Sequence, residues 1–83
     1  MGIVKTIIDK WDPIELLSHA PNDEYHSEIK EIEYLLSLTN DPIELSNSIY
    51  KIFVESFGKD VFRKTKSECT QIAQMILLKT GLR

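Results

Sequence analysis

Eighty-three residues suffice for one small domain, because a chain of this size withdraws only about 60–65% of its unfolded surface from water and cannot divide that between two cores. With 42% apolar residues and 28% charged residues of mixed sign, it reads as a folded globule rather than a disordered tail. No window approaches the run of about 18 apolar residues that crosses a bilayer, and no charged leader precedes an apolar stretch. One cysteine cannot close an internal disulfide. The expectation is therefore a single domain over residues 1–83 in a reducing cytoplasm, away from the membrane.

The first helix is predicted over residues 2–10, where Ile3, Ile7 and Trp11 recur at intervals of four with Val4 and Ile8 beside them. Asp12-Pro13 ends it, since a residue before proline is pushed out of the helical region and proline offers no N–H. The same pair can open another helix, with Asp as N-cap, Pro in the first position and Glu at the third. That grammar occurs twice, in the Asp-Pro-Ile-Glu-Leu of residues 12–16 and again of residues 41–45. Beyond the pentapeptide the two registers share nothing, so repeated helix initiation explains the match better than an internal duplication. After the first copy the element stays short, a helical turn cut off by Ala20-Pro21.

Residues 24–38 form the clearest amphipathic helix. Tyr25, Ile29, Ile32, Leu35 and Leu36 fall on one face, Glu28, Lys30, Glu31 and Glu33 largely off it, and Asn22 or Asp23 is the natural cap. The second Asp-Pro starts a long helix through Leu45, Ile49, Ile52, Phe53 and Phe57, stopped by Gly58. Phe62, in the following link, is expected to plug the core. In the last helix Thr65 to Glu68 form a capping box, Cys69, Ile72, Ala73, Ile76 and Leu77 make the stripe, and Gly81 closes it. Cys69 is expected as a small buried apolar residue, because no basic partner is placed to activate its thiol. The fold class is all-α: a single small bundle of about four helices with a short helical turn after the first.

Charge is the uneven feature. Residues 1–46 carry ten acids against three lysines, net −7, whereas residues 47–83 carry three acids against seven basic residues, net +4. Part of this is helix grammar, since acids favour helix N-termini, but an acidic half can also orient a partner. Lys59, Arg63, Lys64 and Lys66 cluster, yet a chain with a pI near 5.3 lacks the positive field that nucleic acid requires. His19, Asp23, Glu24, His26 and Glu28 are the densest set of metal-ligand types, without the spacing of a known coordination motif. Two convergent carboxylates, or a Ser or Cys paired with His, would mark catalysis. No such constellation is recognisable, so neither enzyme activity nor a cofactor is expected. Trp11 reads as the core anchor of the first helix, or, partly exposed beside Asp12, Asp23 and Glu24, as an aromatic-acidic recognition element.

Trp11-Asp12-Pro13-Ile14, followed by Ala20-Pro21-Asn22-Asp23-Glu24-Tyr25 and Glu28, gives the chain a resemblance. It resembles a family of small uncharacterised proteins of Bacillus-type and other bacteria, a domain of unknown function with a Trp-Asp-Pro and then a Pro-x-Asp-Glu-Tyr pattern. Ile49 to Phe53 and Gly58 echo a weaker later part of that pattern, while His26 stands where the family usually has Asp. The resemblance implies an all-helical bundle and supplies no activity; it also implies an immunity-like role, since members of similar appearance occur among immunity-type proteins that neutralise a toxin. Residue by residue it marks Trp11, Asp12, Pro13, Pro21, Asp23, Glu24, Tyr25 and Glu28 as a candidate interaction patch. The expected function is that of a small bacterial, non-catalytic interaction domain whose acidic N-terminal half meets an unidentified protein partner or a second copy in a homodimer. Neither nucleic acid nor a membrane is an expected partner. The alternative is a metal- or small-ligand-binding module using His19, His26 and nearby carboxylates.

Overall fold

Among the described residues four helices form where apolar residues recur every three to four positions: α1 (Ile3–Trp11), α2 (His26–Leu35), α3 (Pro42–Phe57) and α4 (Lys66–Thr80). The computed structural model describes residues 2–14 and 25–81, and among these there is no strand. Local chemistry sets the ends of the last two helices. Asp41, in an extended conformation, accepts a hydrogen bond from Ile43 N–H at 3.0 Å with Pro42 behind it. Thr65 and Glu68 make both halves of a capping box, each accepting from the other's backbone N–H at 3.1 Å. Gly58 and Gly81 take the positive φ that ends α3 and α4.

The first Asp-Pro behaves differently from the second. Asp12 has φ 45° and ψ 64°, a left-handed conformation, and its N–H closes α1 on the Ile8 carbonyl at 2.8 Å. It is thus the C-cap of α1, whereas a residue opening a helix sits in the extended region as Asp41 does. Pro13 and Ile14 form a turn, and the rest of the short helical element expected after the first helix lies outside the described residues.

Helix α2 is shorter than its apolar pattern suggests. Its N-cap position is Tyr25 rather than Asn22 or Asp23, and it stops at Leu35 because the chain tightens: Ser37 and Leu38 N–H groups reach back only three residues, to Tyr34 and Leu35 carbonyls. Glu28, expected mostly off the apolar face, is buried. Its spacing of three from Tyr25 and four from Ile32 puts it on their side of the helix.

The helices run alternately up and down, each packed on two neighbours in the order α1, α2, α3, α4 and back to α1. Asp12 at the end of α1 bonds Tyr25 at the start of α2. Ser46 of α3 bonds Thr70 of α4, while Tyr50 stands over Lys66, which makes that pair antiparallel as well. α3 and α4 pack most extensively. The enclosed core is aliphatic at one end, through Ile32, Leu45, Ile49, Ile76 and Leu77, and aromatic at the other.

Candidate functional site

The aromatic end is built on Phe53. Phe57 and Phe62 stack against it at 6.0 and 5.3 Å between centroids, and Trp11 and Tyr25 meet it edge-on, both at 5.9 Å. Trp11 also meets Phe62 edge-on at 6.0 Å, the favourable geometry for rings whose faces are negative and edges positive. The last residue of α1 is therefore pinned by two rings from behind while remaining half-buried.

Asp12 follows it in the left-handed conformation, which Asp tolerates better than most residues, while the neighbouring Pro13 disfavours the right-handed one. Its carboxylate accepts a hydrogen bond from the Tyr25 hydroxyl at 2.5 Å, and that hydroxyl accepts in turn from Ile14 N–H at 3.3 Å. Tyr25 is wholly buried. Thirteen residues apart in sequence, Asp12 and Tyr25 lock the turn that leaves α1 onto the start of α2.

Of the candidate patch, Trp11, Asp12, Pro13, Tyr25 and Glu28 are described, and each is half-buried or buried. The structure brings the first four together as a corner of the core. Pro21, Asp23 and Glu24 lie outside the described residues, as does His19. Glu28 is 7% exposed and its Oε1 is buried without a hydrogen-bond partner among the described residues. His26 is exposed at the first position of α2. Among the described residues no three His, Cys, Asp or Glu side chains are grouped so as to hold a metal ion, and no helix is long and apolar enough to cross a membrane. Cys69 is fully buried, and that burial, with the Glu68 carboxylate beside it, pushes its thiol up to about 11; it is an apolar packing residue, as its position in the stripe suggests.

A different face is open. Ile7, Trp11, Ile72 and Met75 form the apolar part of a groove of about 370 Å³ between α1 and α4, edged by Thr6, Lys10 and Lys79. Past Ile7 it meets a second hollow of about 330 Å³ at Gly2, Ile3 and Lys79. On the far side of α4, Pro42, Gln74, Leu77 and Leu78 line a third of about 270 Å³. Met75 is 46% exposed and Leu78 69%. The signal for this face lies in Met75-Ile76-Leu77-Leu78: at about 100° per residue, four consecutive apolar side chains cannot share one side of a helix. Ile76 and Leu77 enter the core, so Met75 and Leu78 must face out.

A family model described as a domain of unknown function, DUF1871, matches residues 3–81. No curated protein and no solved structure matches the chain.

Proposed function

The chain belongs to the DUF1871 family, and on that premise we propose that it is a non-catalytic protein-interaction domain that holds its partner on the face shared by α1 and α4. The observation that carries this reading is the outward turn of Met75, 46% exposed, beside a groove whose other apolar lining is Ile7, Trp11 and Ile72. Contiguous exposed apolar surface beside a groove marks a place that another molecule covers. Trp11 adds an anchor of the kind that dominates interface energetics: a large ring, rigid because Phe53 and Phe62 hold it from behind, with its free side in the groove. The hydroxyl that edges the groove serves the backbone, Thr6 donating to the Gly2 carbonyl at 3.0 Å, which supports a binding use over a catalytic one. The acidic N-terminal half sets the negative background against which the two lysines at the groove stand out.

The test is site-specific photo-crosslinking in the native host, with a photoreactive amino acid at Met75 and, as control, at Glu55 on the exposed side of α3. A discrete adduct at Met75 that disappears on Ile3→Asp, an exposed position in the hollow that continues the groove, with none at Glu55, is the expected result. Identical adducts from both positions would rule out this face.

A further inference from the structure

We infer that the occupant of the α1–α4 groove is an acidic amphipathic helix of a partner protein, which rests on the role proposed for that face. The groove is apolar through Ile7, Trp11, Ile72 and Met75, and among the described residues its charged lining side chains are Lys10 and Lys79. Both lysines are exposed, and neither makes an ion pair among the described residues. Lys5 pairs with Asp9, Lys66 lies over the Tyr50 ring and Arg63 donates to the Asp60 carbonyl at 2.9 Å; what sets Lys10 and Lys79 apart is their place beside an apolar groove. Two exposed ammonium groups beside an apolar floor, in a chain of net charge −3, select for carboxylates flanking apolar anchors.

The shape of the site argues for a helix. Its walls are two antiparallel helices, the shorter of nine residues and so roughly 13 Å long, and the groove continues along that length from Trp11 to Ile3. A helix of two to three turns, with anchors at i, i+3 or i+4 and i+7, fills such a channel. No strand edge exists among the described residues to receive an extended peptide. A second copy fits poorly, because a two-fold contact through this groove would set the lysines of one copy, Lys10 and Lys79, against the same positive patch of the other. A bilayer surface is flat and would leave the concavity unfilled.

The probe is a display library of helical peptides with randomised apolar and charged positions, selected against the whole chain. The selected peptides are then measured by fluorescence anisotropy on the wild type, on Lys10→Glu/Lys79→Glu and on Met75→Asp, all three substituted positions being exposed. Circular dichroism confirms that each variant is folded. The expected binders carry Asp or Glu on both flanks of their apolar anchors, lose about tenfold or more in affinity on the lysine reversal, and lose binding on Met75→Asp. Neutral or basic binders that ignore the reversal but need Met75 would overturn the acidic partner and leave the proposed face standing. Binders indifferent to all three substitutions, or no binders, would overturn both. A dimer in sedimentation that Met75→Asp dissociates, or co-sedimentation with phosphatidylglycerol vesicles stronger than any selected peptide, would replace the helix with those occupants.

Discussion

A buried tyrosine hydroxyl is stable only where it can both give and take a hydrogen bond, and Tyr25 does both, toward the Asp12 carboxylate and from Ile14 N–H. Removing it leaves a half-buried carboxylate and a backbone donor short of a partner, so Tyr25→Phe should cost about 1–3 kcal/mol. Asp12 and Asp41 allow a sharper comparison, because each begins the same pentapeptide in a different conformation. Asp41→Ala removes a helix cap and should cost about 1 kcal/mol. Asp12→Ala removes the acceptor of Tyr25 and also forces alanine into a left-handed conformation, itself worth about 1–2 kcal/mol, so it should cost more. Urea denaturation checks the order, and Tyr25→Phe combined with Asp12→Ala should fall short of the sum of the two. Equal costs at the two aspartates would mean that the turn after α1 is not held as described.

Among the elements, α4 is the one whose chemistry reaches furthest into solution behaviour. Its Cys69 thiol, raised from 9.0 to about 11 by burial and secondarily by Glu68, keeps its proton in the folded chain to higher pH than in the unfolded one. The folded state then binds the proton more tightly, so this contribution to stability is complete below about pH 9 and is lost as pH rises toward 11. Urea midpoints of the wild type and Cys69→Ala, measured across that interval, should converge as alkalinity increases; parallel curves would contradict it. The bounds of α3 and α4 were legible in the sequence because Asp41-Pro42, Thr65-Glu68, Gly58 and Gly81 act within one turn of chain. The stop at Asp12 was legible for the same reason. Its conformation was not, since what Asp12 does depends on Tyr25, a partner supplied by the packing of α2. The same packing buries Glu28, which the helical pattern placed largely off the apolar face, while Tyr25 takes its expected place on that face and Trp11 stays half-buried. The α1–α4 groove combines side chains some sixty residues apart, Ile7 and Trp11 with Ile72 and Met75, and only the surplus of apolar residues at the end of α4 hinted at it.

At the scale of the molecule, the rings around Phe53 tie α1, α2, α3 and the link before α4 into one packed end. A Cα radius of gyration of 11.7 Å agrees with the roughly 12 Å of a closely packed chain of this length. Helices joined this way should unfold together rather than peel apart. Trp11, the chain's sole tryptophan, reports on the docking of α1, while far-ultraviolet circular dichroism reports on all four helices. Their thermal transitions should coincide. Phe53→Leu, which withdraws the ring that Trp11, Tyr25, Phe57 and Phe62 share, should cost about 1–3 kcal/mol and lower both midpoints equally, by about 4–8 °C for each kcal/mol. If the tryptophan signal melted first, α1 would be a separately docked element and the groove it forms with α4 would open before the rest of the fold. Coincidence in the wild type and in Phe53→Leu alike would instead make the groove as durable as the core beneath it, a rigid surface that meets its partner without first having to be assembled.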